Sequence, residues 1–335
     1  MALRPSWLVS GAFVILAVGL WFGYAFRGPI EVKQAPTFAP EGSLVSESTF
    51  KEGMNLIKKE GGVSGEQHFE KLLEKTGSIE SIYGLAWAAY SRKDLGEAER
   101  LVTDIIISNP SPRRMVKSKY LHGLILLNQH RYKHSIQACE EALVVARDNL
   151  DPPRRRTDEA RIHLVLAQAF IERKHILEAE KHLHLVHGKN KDQSIHKGIY
   201  YQLQSRVAFY KRNYVGGLGF ALAMLDSYEN APEDDAGDLM KKGVAHALSD
   251  VAFFLILTGD LAEAENKTNQ ANELLESIGD SNRLIWNRLN MLMLLKCNGD
   301  SRYLSLVTEI NAYAEKQGDQ ELIDFLTFAL DWHCD

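Results

Sequence analysis

The 335-residue chain has few cysteines, few prolines and no large excess of charge of either sign. Its three cysteines are scattered and odd in number, so they do not indicate the disulfide framework of a small secreted domain, although a single pair stays open. The formal net charge of -5 argues against nucleic acid as a main ligand, because phosphate contacts require a basic surface.

Recognised catalytic motifs are also missing. The sequence has no phosphate-binding glycine loop, no nucleophile elbow and no paired zinc-ligand motif. The densest titratable group is His182, His184 and His187, of which only His184 and His187 have a metal-ligand spacing on one helix. No carboxylate or cysteine completes a set, so a solvated helix face is favoured over a metal site. We therefore expect no enzyme activity, no metal and no cofactor.

One long uncharged run stands near the N-terminus. Residues 7–26 carry no charge, and Arg4 and Arg27 flank them. About 20 apolar residues is the length with which a helix crosses a bilayer. A cleaved signal peptide is the alternative, but it has a shorter apolar region and a small-residue cleavage site, which Tyr24-Ala25-Phe26 does not supply. We predict an uncleaved transmembrane anchor over 7–26, after a short flank at 1–6.

The surroundings of this anchor give weaker signals. Flanking charges are nearly balanced and do not decide the orientation; in a bacterial host we expect a single-pass protein of the cell membrane with a periplasmic domain, and a cytosol-facing domain is the alternative. Gly19 and Gly23 have the small-xxx-small spacing that favours a homodimer through the transmembrane helix, although glycine is common in such helices. Residues 27–47 contain three prolines and are predicted to form a linker.

Beyond the linker, one spacing recurs five times. A small residue is followed nine positions later by a large apolar residue, and after three more positions by a second small residue. Small residues allow two antiparallel helices to approach closely, and the large residue fills the gap beside their turn. The pattern therefore predicts a series of helical hairpins. Its copies are Ala86/Leu95/Ala98, Gly123/Tyr132/Ser135, Ala167/Ile176/Ala179, Ser205/Tyr214/Gly217 and Ala252/Leu261/Ala264.

Together with other residues, this pattern resembles the tetratricopeptide repeat (TPR) family over residues 79–311. The units are 37, 44, 38 and 47 residues apart at the second small residue, longer than the usual spacing of about 34, and the signature tryptophan is missing. The resemblance implies an all-α, right-handed solenoid over 48–335, with a degenerate first hairpin at 48–76 and a capping helix at 320–332. The further matching residues are Leu85, Pro110, Ala142, Leu166, Phe170, Gly259-Asp260 and Ala271.

The resemblance also implies which residues face the concave groove. In this family the fifth, ninth and twelfth positions of each first helix project inward. Their aromatic, aliphatic and polar mixture is typical of a peptide groove, and the alternative is that several complete the core. Tyr120 and Leu124 replace the residues with which some members bind chaperone tails, so that role is disfavoured. The candidates for partner binding are Tyr120, Leu124, Gln168, Gln202, Arg206, Phe209 and Phe253, with Leu127, Leu164, Ile171, Ser249 and Ile256 at equivalent positions.

One further motif is the run Arg154-Arg155-Arg156, which follows Pro152-Pro153. The prolines predict an exposed loop between repeats, where such a run usually aids solubility but could bind an acidic partner.

These features favour a membrane-anchored adaptor or scaffold that binds a protein or peptide partner through its groove, for assembly or recruitment at the cell envelope. The first alternative is a non-enzymatic structural subunit of a larger membrane machine, such as a secretion, pilus or cell-wall apparatus. The second is an enzyme or metal site around residues 182–187. The sequence does not identify the partner or the host.

Overall fold

The computed structural model describes residues 45–186, 194–231 and 238–333, which form fifteen helices joined by turns and short links. The helices are α1 (Glu47–Glu60), α2 (Gly62–Thr76), α3 (Ile79–Ser91), α4 (Leu95–Ile107), α5 (Pro112–Asn128), α6 (Tyr132–Asn149), α7 (Pro152–Glu172), α8 (Ile176–Val186), α9 (Ser194–Tyr210), α10 (Tyr214–Glu229), α11 (Asp238–Thr258), α12 (Leu261–Ser277), α13 (Ser281–Cys297), α14 (Tyr303–Gln317) and α15 (Gln320–Asp331).

The predicted N-terminal flank, the anchor with Gly19 and Gly23, and nearly all of the linker lie outside the described residues. Within the described ranges, no helix combines the length and the apolar character needed to cross a bilayer.

The helices pack as a solenoid of hairpins. Each helix packs against the next one along the chain, and each odd-numbered helix also packs against the next odd-numbered helix. No comparable packing joins successive even-numbered helices in the described part of the chain. The odd-numbered helices therefore form the concave side of the solenoid, and the even-numbered helices form its convex side. The curvature is tight, because α1 also reaches α11.

The repeated spacing has the structural role that the sequence predicts. Its large apolar residue is the first residue of the second helix in all five hairpins, at the starts of α4, α6, α8, α10 and α12. Its small residues are buried where the paired helices meet. In the second of these hairpins, α5–α6, the Ser135 hydroxyl donates to the Gly123 carbonyl oxygen at 2.7 Å. A Cβ atom on Gly123 would lie 2.4 Å from the Cys139 sulfur.

The turns within these hairpins share one backbone conformation. The residue before the second helix's N-cap has a positive φ, which reverses the chain direction in a very short space; it is Lys93 (φ 66°) in the first clear repeat and Gly259 (φ 90°) in the fifth. In three of the hairpins the next residue caps the second helix with its side chain, as Asp94 does by accepting from the Glu97 amide at 3.1 Å. Arg131, at the same place before α6, makes no side-chain cap.

Two departures from the family spacing have a local explanation. The first helices α7 and α11 are 21 residues long, which lengthens the third and fifth units.

The predicted loop at Arg154-Arg155-Arg156 is wrong, because Pro152 opens α7 and the arginines follow within its first two turns. Proline fits the first helical position, where its missing N–H is not needed. Arg155 lies 3.9 Å from Glu159 on the same helix.

Candidate functional site

A cavity of about 650 Å³ opens on the concave side between α5, α7, α9, α11, α13 and the start of α15. We call it the main cavity. Five of the seven candidates for partner binding line it, together with Leu127 and Ser249 from the equivalent positions, and all five come from first helices of consecutive hairpins. They are Gln168, Gln202, Arg206, Phe209 and Phe253.

The other two predicted residues lie elsewhere. Tyr120 lines a separate pocket of about 160 Å³ between α1, α3, α5 and α7, which we call the N-terminal pocket. Leu124 is half-buried against the core of the second and third hairpins. Among the equivalent positions, Leu164, Ile171 and Ile256 are buried core residues. An inward position on a first helix therefore predicts that the residue lies on the concave side. It does not show whether the side chain lines a cavity or is buried in the core.

The two pockets lie along one face of the same helices. Tyr120 and Leu127 on α5 are seven residues apart, as are Arg161 and Gln168 on α7, and the first of each pair lines the N-terminal pocket while the second lines the main cavity. Seven residues make two helical turns, so each pair shares a face and is separated by about 10 Å along the axis.

Arg206 is the charged centre of the main cavity. Its guanidinium donates to Glu172 on α7 at 2.8 Å and to Glu321 on α15 at 2.5 Å. Burial alone would lower the pKa of Arg206, but the two carboxylates outweigh it and raise that pKa. Burial and the charge of Glu172 raise the pKa of the Glu321 carboxyl, against the opposing effect of Arg206.

Aromatic rings form the wall beside this ion pair. Phe209 stacks on Phe325 of α15 with ring centroids 5.1 Å apart, and its ring lies 5.5 Å from Phe253. Trp286 of α13 meets Phe325 edge to face at 5.2 Å. Offset and edge-to-face geometries are the favourable ones for aromatic pairs. The C-terminal helix is thus a wall of the cavity.

Sequence reasoning treated α15 only as a cap and missed this contribution. A signal was present, because Glu321, Phe325 and Phe328 follow an i, i+4, i+7 spacing and so share one face of the helix. Leu322 and Leu326 occupy another face and are buried in the core. A terminal helix that only caps the core needs one apolar face. A second apolar face indicates that α15 also contacts another surface, which is the concave side.

Two amide side chains in the main cavity are not engaged by the protein. Gln168 and Gln202 are both half-buried, and neither side chain has a hydrogen-bond partner among the described residues. Each carboxamide offers two donors and an acceptor. They are therefore placed to bind a peptide backbone or another polar ligand that enters the cavity.

The N-terminal pocket combines aromatic rings with basic groups. Tyr83, Trp87 and Tyr120 line it together with Lys117 and Arg161. Burial lowers the pKa of the Lys117 ammonium, and the nearby positive charges of the neighbouring arginines lower it further. Burial raises the pKa of the Tyr120 hydroxyl well above its usual range.

Beside this pocket, the guanidinium of Arg114 is held in place by aromatic and acidic neighbours. Its guanidinium lies over the Tyr83 ring, 4.5 Å from the centroid, and 3.4 Å from Glu80. Cation–π contact and the ion pair together keep this positive charge at the edge of the pocket.

The histidine group has a packing role where the structure describes it. His163 is buried, and its Nδ1 lies 3.0 Å from the Nδ1 of His182. The His182 ring stacks on Phe170 at 5.4 Å, while His184 points to solvent on α8. His187 is outside the described residues. Within the described residues, no three histidine, cysteine or acidic side chains are grouped to hold a metal ion.

Cys139 is the cysteine whose environment is described most fully. It is a fully buried free thiol, as its inward position on the second helix predicts, and burial raises its pKa. A buried neutral thiol behaves as a small apolar residue.

In sequence comparisons, no protein-family model matches the chain and no curated protein matches it. Solved structures do resemble it. BtubC from P. vanneervenii has a TM-score of 0.50 at 15% identity, over 69% of this chain and 89% of BtubC. The apo form of RapI has a TM-score of 0.50 at 11% identity, over 76% of this chain and 96% of RapI.

A tetratricopeptide repeat protein from Parabacteroides merdae has a TM-score of 0.44 at 10% identity, over 85% of this chain and 98% of that protein. At these identities the likeness concerns the fold alone. With stacked hairpins built on the small–large–small spacing, the chain has a TPR-like fold.

Proposed function

We propose that the protein is an adaptor that binds a segment of a partner protein on its concave side. The observation that carries the proposal is the main cavity, where Gln168, Gln202, Arg206, Phe209 and Phe253 converge. Aromatic and arginine side chains dominate the energetics of protein interfaces, and side-chain amides fix the register of a bound backbone. The volume of the cavity is within the range of ligand clefts, about 300–1,000 Å³.

The proposal includes the predicted transmembrane anchor at residues 7–26. An anchor would hold the concave surface near its partners and raise their effective concentration, so that a modest affinity would suffice. The adaptor would then act at the cell membrane, within the envelope of a bacterial host. No catalytic step and no cofactor belong to this proposal.

Photo-cross-linking of the full-length protein in its own membranes tests the groove. A benzophenone amino acid replaces Gln202 in the main cavity or, in the matched control, Val215 on the convex side, which is 76% exposed. We expect specific partner cross-links from position 202 and few from position 215. The Gln168→Ala substitution should weaken the cross-links from position 202, because it removes the Gln168 carboxamide from the cavity while leaving the core intact.

A second candidate function is favoured by the convex surface. Large apolar side chains are exposed on even-numbered helices, including Ile107, Leu177 and Val215. Such residues could be covered inside a larger assembly, as a structural subunit of a membrane machine would require. Partner cross-links from position 215 that Gln168→Ala leaves unchanged would favour this candidate and contradict groove binding.

A further inference from the structure

The ion pair at the centre of the main cavity has one negative charge in excess. Arg206 is shared by the carboxylates of Glu172 and Glu321, so that two negative charges face one positive charge. Burial, together with the charge of Glu172, raises the pKa of the Glu321 carboxyl against the opposing effect of Arg206. A positively charged group placed beside Glu321 would balance the excess charge.

The other charged groups of the lining do not supply that positive charge. The second guanidinium of the lining, Arg283, pairs with Asp250. Asp319 is a further carboxylate, which accepts from the Leu322 amide at 3.0 Å, so the N-terminus of α15 offsets its charge in part. Neither group neutralises the excess charge around Arg206.

One lysine acts on this excess from outside the lining. Lys174 donates to the Tyr210 hydroxyl at 2.7 Å and lies 4.8 Å from the centroid of the same ring. Its charge lowers the pKa of the Glu321 carboxyl, as does that of Arg206, but the two together do not outweigh the effects that raise this pKa. Lys174 therefore leaves the excess beside Glu321 in place.

An amide oxygen in the lining accepts no hydrogen bond from the described part of the protein. Asn290 on α13 is only 3% exposed and lines the main cavity. Its Nδ2 donates to the Ser249 carbonyl oxygen at 2.8 Å and lies 3.1 Å from the Asn287 Oδ1, which fixes the orientation of the amide. The Asn290 Oδ1 is thus an enclosed acceptor without a donor, and it favours a ligand that donates hydrogen bonds.

The aromatic wall fits the stem of a basic side chain. The Phe325 ring centroid lies 5.1 Å from that of Phe209 and 5.2 Å from that of Trp286. Glu321 is one helical turn from Phe325 on α15, and Asn290 is one turn from Trp286 on α13. Lysine and arginine pack their methylene groups on apolar surface and place their charge at its edge, where an aromatic face attracts it.

We propose that the main cavity binds a lysine or arginine side chain of the partner segment, with its charge beside Glu321, while an N–H group of the segment donates to the Asn290 Oδ1. This inference rests on the proposed function and adds the chemical class of the bound residue. An acidic side chain would add to the excess of carboxylates. An apolar side chain would leave that excess buried without a counterion.

Peptide selection on the full-length protein in lipid nanodiscs tests the inference. A random twelve-residue display library is selected against the wild type and against Glu321→Gln, which removes the excess charge while glutamine still accepts from Arg206. We expect the wild-type peptides to share a lysine or arginine at a constant position, and the Glu321→Gln peptides to lose this preference. Glu172→Gln, which keeps the contact of α15 with Arg206, should have the same effect.

A thermodynamic cycle shows whether the basic residue lies beside the carboxylate. Replacing the shared lysine or arginine of a selected peptide with glutamine should raise the Kd for the wild-type protein about tenfold, which is the effect of losing one charged hydrogen bond. The same replacement should leave the Kd for Glu321→Gln nearly unchanged, because the partner of the basic residue is already absent.

Asp324→Asn is the matched control, because Asp324 is an exposed carboxylate of the same helix outside the lining of the cavity. It should keep the wild-type preference and Kd. The inference is overturned if the wild-type peptides share no basic residue, or if replacing that residue weakens binding to the wild type and to Glu321→Gln equally. A loss in Asp324→Asn as large as in Glu321→Gln would overturn it as well.

Failure of this inference can be told apart from failure of the proposed function. If position 202 cross-links a partner but no peptide with a shared basic residue is enriched, the inference is wrong while groove binding stands. If position 202 gives no specific cross-links, groove binding itself is contradicted.

Discussion

Arg206 and Glu321 are joined by a 2.5 Å hydrogen bond although 115 residues separate them in the sequence. The bond connects α9 to the C-terminal helix, and Glu172 on α7 accepts a second bond from the same guanidinium at 2.8 Å. The third and fourth of the five repeated hairpins and the C-terminal helix are thereby linked across the concave side. This long-range contact lies in the lining of the main cavity.

Replacing Arg206 with methionine should destabilise the protein. The substitution keeps much of the side-chain volume but leaves Glu172 and Glu321 close together without their shared counterion. Removing one member of a buried charge pair costs about 3–5 kcal/mol. Since Arg206 keeps 24% of its side-chain surface exposed, we expect a loss of about 2–3 kcal/mol in the free energy of unfolding, measured by urea denaturation at pH 7.

Two further variants test the cause of this loss. Adding Glu172→Gln and Glu321→Gln to Arg206→Met should restore most of the stability, because no charge is then left unpaired. Arg302→Met removes an exposed ion pair with Asp300 and should leave the free energy of unfolding nearly unchanged. If Arg206→Met costs no more than Arg302→Met, the long-range ion pair does not stabilise the fold.

Gly123→Ala should destabilise the second hairpin. Its new Cβ would lie 2.4 Å from the Cys139 sulfur, a clash that requires movement in a packed core. Overpacking costs about 1–3 kcal/mol, and the better helix propensity of alanine returns up to about 1 kcal/mol. We expect a net loss of about 1–2 kcal/mol in thermal or urea unfolding.

The same contact predicts a rescue. In Gly123→Ala/Cys139→Ala the sulfur is absent, so the double variant should be more stable than the sum of the two single effects. Gly219→Ala is the matched control, because an added Cβ there meets nothing within 4 Å; it should stabilise α10 by about 0.5–1 kcal/mol. Additive effects of Gly123→Ala and Cys139→Ala would show that the two positions do not compete for space.

The sequence was sufficient for the hairpins because their determinants are local. A small residue, a turn and a large residue within twelve positions specify where two helices cross, so Leu95 and Tyr132 could be recognised as helix starts. Determinants of the cavity are not local. Phe209 meets Phe325 only because the solenoid is tightly curved, and small differences in each hairpin's packing set that curvature.

Two differences between the sequence-based expectation and the structure have similar causes. Tyr120 was grouped with Gln168 by position, but the side chains divide between two pockets because α5 and α7 extend past both. Arg154-Arg155-Arg156 was expected in a loop after Pro152-Pro153, whereas proline at a helix start supports the helix. In both cases the local sequence does not show how far the helix extends.

Asp280→Asn should remove an acid-sensitive contribution to stability. The hydrogen bond from His246 at 3.2 Å, helped by the amide of Arg283, lowers the pKa of the Asp280 carboxyl from 3.8 to about 2. A lowered carboxyl pKa stabilises the folded state above pH 3.8, and this contribution is lost as the pH falls through about 2.

The test compares urea unfolding of wild type and Asp280→Asn between pH 7 and pH 2. Asparagine still caps α13, so the comparison isolates the charge. We expect the variant to be less stable at pH 7 by about 1 kcal/mol, a value reduced for partial exposure, and the difference to shrink below pH 4. Asp260→Asn, at the N-cap of α12, controls for the cap exchange. A difference that does not change with pH would mean that the pairing with His246 has no electrostatic role.

His182 should make the stability of the protein fall in mild acid. Burial, with a smaller effect of the Lys181 charge, lowers the pKa of its imidazole below 6.5. The folded state therefore binds this proton less tightly than the unfolded chain, so the free energy of unfolding decreases as the pH falls below 6.5. One proton accounts for at most about 1.4 kcal/mol per pH unit.

Unfolding of the His182→Gln variant between pH 7.5 and pH 5 checks this prediction. The variant should show a flatter pH dependence than the wild type, whereas His184→Gln, on the exposed side of the same helix, should follow the wild type. The metal-site alternative makes a different prediction: zinc would raise the melting temperature, and His184→Gln would abolish that rise. The His182 ring contacts His163 and stacks on Phe170, which is a packing role. We therefore expect zinc to leave the melting temperature unchanged.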